Sequence, residues 1–330
     1  MDGFRYFRFG GVLLACGLAV CVGGVSPGLA APARGPSSPP AAKSQSVSLL
    51  SPLANSRNRQ AGVVHLQRLR ARLLEQLADS KRLDDVAVYV EDLNSGVWMG
   101  INERQQIQLG SLLKVGVAIA YLKWDQDHPG VLEGKISVLP EDTDTGNDRY
   151  SRKIDTPLPV GEYRVLQVIE KMIVSSDNVC LAALFRTIPK SWIDETFADI
   201  GIPNPFVRPK SAPVSIDHNK ITSKQYAQML KSLYNASYLD NPHSEMLLRF
   251  LIRTHFSEGI RRVLPGTIPM ALKYGIWGSA IYECGIIYLD RNPYLVGIMT
   301  LGNTLNPESG LALIRDLAAV IHSFFVDLDR

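Results

Sequence analysis

The chain has 330 residues and a nearly balanced charge, since 35 Lys and Arg against 32 Asp and Glu give a formal net charge of +3. With 46% hydrophobic residues, this composition excludes a collagen-like or wholly disordered chain and is sufficient for a buried core. The basic run Arg68, Arg70 and Arg72 lies on a predicted helix whose leucines mark the buried face. We therefore expect solvated charge there and no nucleic-acid partner.

The N-terminal segment has the pattern of an export signal. Residues 1–10 carry two arginines, residues 12–25 are almost wholly apolar, and small residues follow at 28–31. This pattern predicts a secretory signal peptide over 1–31 and a periplasmic or secreted protein. Two alternatives stay open, a lipoprotein processed at Cys16 and an uncleaved membrane anchor, and only these would attach the protein to a membrane.

Residues 32–62 are rich in Pro, Ala and Ser and contain too few apolar residues to fold alone. They are predicted to form a flexible spacer. The remaining residues, 63–330, are expected to form one domain with two lobes. A sheet lobe would comprise 63–109 and 256–330, and a helical lobe would comprise 110–255.

In chain order, the hydrophobic pattern predicts a helix over 64–79, a hairpin, a helical region, and a second group of strands. The hairpin strands are 86–93 and about 97–101, joined by the turn Asn94-Ser95-Gly96. Helices are predicted at 111–124, 161–174, 178–187, 191–199, 223–234 and 243–254. Strands near 268–274, 281–289 and 293–301 precede a last helix over 311–325. The chain is therefore expected to be α+β, with a five-stranded antiparallel sheet flanked by the N- and C-terminal helices and an inserted all-helical lobe.

Three short motifs carry the chemistry of the chain. They are Ser111-Leu-Leu-Lys114, Ser176-Asp-Asn178 and Lys273-Tyr-Gly275, separated by 65 and 97 residues between their first members. A lysine three residues after a serine lies on the same helical face, where it can take the proton of the hydroxyl group. Each motif alone could be a helix cap or a surface lysine, and their order and context give them weight.

The hairpin, the helix that follows Ser111 and the motif spacings together resemble the class A β-lactamases and the low-molecular-weight penicillin-binding proteins over residues 65–326. The resemblance implies that Ser111 is the nucleophile and Lys114 its base. Burial and the positive charge of Lys273 would favour the neutral form of Lys114. Ser176 would relay a proton to the leaving nitrogen, and Lys273 would attract a substrate carboxylate.

The same resemblance implies a set of substrate-binding residues. Asn178 would hydrogen-bond the substrate amide, and Gly275 would let the substrate backbone approach its strand. The backbone N–H of Ile276 would join that of Ser111 in an oxyanion hole. Tyr150 lies about where an aromatic side chain would form a wall of the cleft, although ordinary loop packing also explains it.

Two departures from the family pattern bear on substrate and mechanism. Tyr274 occupies a position usually held by Thr or Ser, whose hydroxyl binds the substrate carboxylate, so Tyr274 could change that recognition or partly fill the cleft. No glutamate occurs between Glu195 and Glu245, where class A β-lactamases carry the base that activates the deacylating water. Phe206 falls near that position, and Asp217 is the nearest carboxylate beyond it.

These residues favour an exported active-site-serine hydrolase that forms an acyl-enzyme with peptidoglycan D-Ala-D-Ala peptides. One alternative is a class A-like β-lactamase with atypical or slow deacylation. Another is a non-catalytic protein that binds peptidoglycan or a partner on the same fold. The stem peptide and β-lactams are thus the expected ligands, while the oligomeric state stays open with a monomer as the default expectation.

Other chemistries find no support in the sequence. The histidines lack metal-ligand spacing, and neither a Gly-x-Ser-x-Gly elbow nor a Gly-rich phosphate loop is present, so neither a metal nor a cofactor is expected. Cys180 and Cys284 would remain after removal of the signal. Two buried thiols are favoured over a disulfide, because one cysteine lies in an apolar predicted helix and the other in a strand.

Overall fold

The computed structural model describes residues 57–145, 155–202, 220–302 and 305–329. The α-helices of these residues are α1 Arg57–Asp79, α2 Leu113–Asp127, α3 Val165–Val174, α4 Asn178–Thr187, α5 Lys190–Asp199, α6 Ser223–Tyr234, α7 Asn241–Ile252 and α8 Pro307–Asp329. The strands are β1 Val86–Asp92, β2 Val97–Ile101, β3 Ile107–Gln108, β4 Lys135–Val138, β5 Gly161–Arg164, β6 Lys220–Ile221, β7 Met270–Trp277, β8 Ala280–Ile287 and β9 Tyr294–Thr300.

The main sheet has five strands in the order β2-β1-β9-β8-β7, and every neighbouring pair is antiparallel. The predicted α+β fold is therefore confirmed, with α1 and α8 on one face of the sheet and the helical lobe on the other. Because β7 is the edge strand, one side of its backbone is not paired within this sheet. That edge adjoins the turn that carries Ser111.

The core consists of two clusters, one on each face of the sheet, and the strands contribute to both by alternation. On β7, Met270, Leu272 and Tyr274 belong to the cluster beneath the terminal helices, whereas Ala271 belongs to the cluster of the helical lobe. Successive side chains of a strand point to opposite faces, so this assignment follows from the pleat. Lys273 accordingly points away from the terminal helices, toward the helical lobe.

Helix α1 and strand β5 differ from the sequence-based expectations. Helix α1 begins at Arg57, inside the predicted spacer 32–62, and the Arg59 guanidinium donates to the carbonyl oxygen of Ser95 at 3.0 Å. The predicted helix 161–174 is wrong over its first four residues, which form β5 and pair with β4. Helix α3 begins only after Arg164. The Gln167 side-chain oxygen accepts the backbone N–H of Arg164 and so caps the N-terminus of the helix.

The two cysteines of the described domain are both buried and unbridged. Burial raises the pKa of each thiol well above its ordinary value, so both are expected to remain protonated and unreactive. No helix among the described residues has both the length and the apolar character needed to cross a membrane.

Candidate active site

Ser111 lies in a single 3-10 turn, Gly110–Leu112, that leads directly into α2, and its side chain is half-buried. Gly110 has a φ of +49°, and a Cβ atom built on it would lie 2.3 Å from the carbonyl oxygen of Ile276. Only glycine can adopt this backbone at so close an approach. The sequence thus brings the serine turn into direct contact with the peptide group of Ile276 on the edge strand β7.

Lys114 is fully buried in the first turn of α2, and its ammonium nitrogen is the centre of the site. Nζ lies 3.0 Å from Ser111 Oγ, 2.7 Å from the Ser176 carbonyl oxygen, 3.2 Å from Ser176 Oγ and 2.6 Å from Asn178 Oδ1. Ser176 and Asn178 lie 62 and 64 residues after Lys114 in the sequence, yet both contact this lysine, which is only three residues from Ser111. The first two motifs converge on one nitrogen atom.

The types of acceptor around Lys114 define what it can do. The Ser176 carbonyl and the Asn178 amide oxygen can only accept, so they use two N–H bonds of Lys114. The remaining position of Nζ points toward the hydroxyl oxygens of Ser111 and Ser176. In the neutral amine this position is a lone pair that can accept the Ser111 proton, and in the ammonium it is a third N–H donor. The geometry is therefore compatible with Lys114 before and after proton transfer.

Ser176 connects the two lysines and adopts an unusual backbone conformation. It is fully buried, its Oγ lies 2.8 Å from Lys273 Nζ and 3.2 Å from Lys114 Nζ, and its φ is +58°. A non-glycine residue in the left-handed region costs about 1–3 kcal/mol and persists only where its surroundings hold it. This conformation directs both the carbonyl and the hydroxyl of Ser176 to Lys114.

Asp177 is the N-cap of α4, as its residue type favours, and its contacts are structural. One carboxylate oxygen accepts the N–H of Val179 at 2.8 Å, and the other accepts the N–H of Leu158 at 2.8 Å. The carboxylate therefore connects the start of α4 to the segment that contains Leu158. Asp177 thus holds the loop, while Ser176 and Asn178 face Lys114.

Lys273 is 1% exposed and donates to Ser176 Oγ at 2.8 Å and to the Tyr274 carbonyl oxygen at 3.2 Å. Its ammonium also lies 4.4 Å from the centre of the Tyr274 ring. The third motif therefore reaches the first two through Ser176. From Ser111, the hydrogen-bonded chain runs through Lys114 and Ser176 Oγ to Lys273.

The expectation that Tyr274 would line or partly fill the cleft is wrong. The ring stacks on Phe256 with centroids 4.1 Å apart, is 3% exposed, and belongs to the core cluster beneath the terminal helices. The physical reason is the pleat of β7, which places Lys273 and Tyr274 on opposite faces. Gly275 allows the serine turn to approach β7 closely, because a Cβ atom there would lie 3.0 Å from the carbonyl oxygen of Leu109. Its role toward a substrate backbone stays a prediction.

A pocket of about 300 Å³ opens at the serine turn, and Ser111, Lys114, Asn178 and Ile276 are part of its wall. Leucines form the apolar part of the wall, and Gln108 and Trp277 complete it. The sequence reasoning missed these last two residues. The sequence did contain a signal for Trp277, because this large aromatic residue lies two positions after Gly275 on the strand predicted to border the cleft.

Three residues named from the sequence, Tyr150, Phe206 and Asp217, lie outside the described residues. The described residues contain no group of three or more His, Cys, Asp or Glu side chains that could hold a metal ion. A larger cavity of about 480 Å³ lies between α6 and α7 beside Tyr288, and none of the motif residues line it. The chemistry of this chain is thus concentrated at the smaller pocket.

A hydrogen-bonded serine–lysine–serine–lysine chain thus lies beside the edge strand β7, and it contains the groups that covalent acyl transfer requires. Residues 68–325 match the model of the β-lactamase enzyme family, called Beta-lactamase2. The chain belongs to this family, which supports hydrolase chemistry. A search of curated protein sequences gave no match.

Solved structures share the fold. The TLA-3 extended-spectrum β-lactamase superposes with a TM-score of 0.69 at 19% identity, covering 79% of this chain and 99% of that chain. A point mutant of PBP-A, in an acyl-enzyme complex with penicillin G, gives a TM-score of 0.67 at 19% identity, covering 79% of this chain and 97% of that one. A β-lactamase from Xanthomonas campestris gives 0.65 at 19% identity, covering 79% and 98%. At these identities, the likeness shows the fold alone.

Proposed function

We propose that this protein is an exported serine hydrolase that forms an acyl-enzyme on Ser111. The observation that carries the proposal is the position of Lys114 Nζ, 3.0 Å from Ser111 Oγ and hydrogen-bonded to both Ser176 and Asn178. A nucleophile within hydrogen-bond distance of a base that is itself held by further groups is the arrangement that covalent catalysis requires. The signal-like N-terminus supports export.

In the acylation step, Ser111 Oγ forms a bond to the carbonyl carbon of an amide or lactam while its proton moves to Lys114 Nζ. The carbonyl oxygen takes up the negative charge and is stabilised by the N–H groups of Ser111 and Ile276. The contact between Gly110 and the Ile276 peptide supports this pairing. The C–N bond then breaks, and the leaving nitrogen receives a proton from Ser176, which recovers one from the lysines bonded to its Oγ.

The proposed substrate class is the peptidoglycan stem peptide that ends in D-Ala-D-Ala. The absence of glutamate between Glu195 and Glu245 supports this choice over a fast β-lactamase, because the loop base that activates water in class A enzymes has no counterpart there. The acyl group would leave slowly to water or faster to an amine. An enzyme of this kind is acylated by penicillin and stays acylated.

Two further candidate functions differ from this one in whether a penicillin adduct forms and in how long it lasts. A class A-like β-lactamase would consume penicillin without retaining it, through another base. A non-catalytic binding protein would neither consume nor retain it. The hydrogen-bonded chain from Ser111 to Lys273 disfavours the binding protein, since such a protein would not need two buried lysines at one hydroxyl oxygen.

The test is intact-protein mass spectrometry of the protein mixed with penicillin, followed from minutes to hours. We expect one adduct that maps to Ser111, is absent from Ser111→Ala, and persists for hours. Ser80→Ala, at the exposed end of α1, is the matched control and should be labelled like the wild type. Equal labelling of Ser111→Ala would refute the nucleophile, loss of penicillin with no lasting adduct would support the β-lactamase, and neither adduct nor loss would support the binding protein.

A further inference from the structure

A second cavity of about 430 Å³ lies next to the Ser111 pocket, and the two share Gln108 and Trp277 as wall residues. Its volume is in the range of ordinary ligand sites. The first cavity holds the reacting groups, whereas the second holds none of the three motifs. A long substrate held at Ser111 could therefore continue past Trp277 into the second cavity.

Trp277 is the last residue of β7 and is 46% exposed, which is unusual for so large an apolar side chain. The hairpin behind it is well defined. Trp277 pairs with Ala280 across a two-residue turn, Gly278 has a φ of +59°, and Ser279 Oγ donates to the Gly302 carbonyl oxygen at 2.7 Å. Because hydrogen bonds hold this hairpin in place, its exposed aromatic ring can contact a ligand with little loss of conformational entropy.

Most of the exposed wall of the second cavity is polar. Gln105 and Gln106 are exposed in the segment before β3, and Gln108 on β3 pairs with Lys220 on β6. Carboxamide side chains both donate and accept hydrogen bonds, as peptide groups do, and a lysine adds attraction for a carboxylate. This combination of amides, a cation and two aromatic rings suits an extended peptide with an acidic group better than a compact apolar ligand.

The position of the cavity along β7 tells which part of a substrate would enter it. Lys273, which reaches Ser176 on the leaving-group side, and Trp277 are four residues apart on one strand, a separation of about 13 Å. The Ile276 peptide, next to the Ser111 turn, lies near the Trp277 end. A substrate whose leaving nitrogen faces Ser176 therefore directs its acyl portion toward Trp277.

We propose that the second cavity is a subsite for the peptide arm on the acyl side of the substrate, with Trp277 against the arm and Lys220 opposite a carboxylate on it. The proposal rests on the proposed function, since it names which part of that substrate is recognised. It makes this protein selective for acyl donors with an acidic arm that extends beyond the reacting residues. Penicillin and short acyl donors would leave the cavity empty.

The test compares three acyl-D-Ala-D-Ala donors: a short N-acetylated one, a donor longer by two residues that include Gln, and the same long donor with Glu in its place. We expect kcat/KM to be about tenfold higher for the long Gln donor than for the short one, the size of effect that a good contact residue gives. The Glu donor should exceed the Gln donor severalfold. Trp277→Ala should reduce the advantage of length, and Lys220→Gln should remove the preference for Glu.

The control is Lys190→Gln, which removes an exposed positive charge at the start of α5 and should leave both ratios unchanged. Equal kcat/KM for short and long donors, or a Glu preference that survives Lys220→Gln, would overturn the subsite while acylation by penicillin still supports the proposed function. If penicillin does not acylate Ser111 at all, the proposed function fails instead. In that case, calorimetry measures how tightly the three peptides bind to Ser111→Ala. The subsite predicts that the long Glu peptide binds most tightly, and any other order would overturn it.

Discussion

Glu283 is a buried carboxyl group whose protonation should control the stability of the protein. It lies on β8 opposite Tyr274 of β7, is 1% exposed, and accepts the N–H of Ile260 at 2.6 Å. Burial raises its pKa from the ordinary 4.5 to about 7, although the Ile260 N–H, Arg261 and Lys273 all favour the charged form. The perturbation that tests this is Glu283→Gln, a neutral side chain with the shape of the protonated acid.

The sign and size of the effect follow from proton linkage. Between pH 4.5 and about 7 the folded protein keeps the Glu283 proton while the unfolded chain has lost its own, so the folded state binds more protons and stability falls as the pH rises. At about 1.4 kcal/mol per pH unit, this group alone removes about 3 kcal/mol across that window. Below pH 4.5 its full stabilisation is present, and above about 7 it is lost. The Gln variant carries no such dependence.

The assay is urea unfolding of the wild type and Glu283→Gln at intervals from pH 4.5 to 8, with the difference in unfolding free energy plotted against pH. The difference isolates Glu283, because all other titrating groups are shared. We expect the unfolding free energy of Glu283→Gln, relative to that of the wild type, to increase by about 3 kcal/mol over this range. Glu75→Gln, on the exposed face of α1, controls for the loss of one acidic residue. A difference that is flat within about 1 kcal/mol would refute a raised pKa at Glu283.

Three more predictions concern the site itself. Lys114→Met removes the acceptor of the nucleophile's proton and should slow acylation by penicillin about 10²–10⁴-fold in stopped-flow measurements; a rate within tenfold of the wild type would contradict its role as the base. Gly110→Ala should lower stability by about 1–3 kcal/mol and abolish labelling, because the new methyl group would lie 2.3 Å from the Ile276 carbonyl oxygen. Gly201→Ala, which also has a positive φ but open space around it, isolates the backbone strain, and an equal loss in both variants would argue against the clash. Asp177→Ala should cost about 1–2 kcal/mol in urea unfolding through loss of the α4 cap, whereas Asp177→Asn keeps an acceptor oxygen and should cost less.

The sequence was most informative where local pattern and tertiary structure agree. The hairpin of β1 and β2 and the helix α4 follow from alternation, turn residues and a capping aspartate, and the structure has them within a residue of the expected bounds. The pairing of β4 with β5 could not be predicted in this way. Each of these strands has four residues, and β5 has neither a buried residue nor an apolar alternation that would set it apart from the helix that follows.

The convergence of the three motifs was predicted from resemblance, because no local signal brings residues 111, 176 and 273 together. By contrast, the direction of Tyr274 was available from the sequence. A strand that points Lys273 toward Ser176 must point its neighbour to the opposite face, and the apolar cluster around Phe256 receives it.

The two buried lysines lie close enough for their charges to interact. Both ammonium nitrogens are hydrogen-bonded to Ser176 Oγ, so they lie within about 6 Å of each other. Two positive charges at that distance repel by at least about 3 kcal/mol at an effective dielectric constant of 20, so one lysine is favoured as the neutral amine. Above about pH 7, where Glu283 is charged, its carboxylate interacts favourably with the charge of Lys273. Lys114 is the lysine within reach of the Ser111 hydroxyl, so a neutral amine at Lys114 is the form that accepts the Ser111 proton.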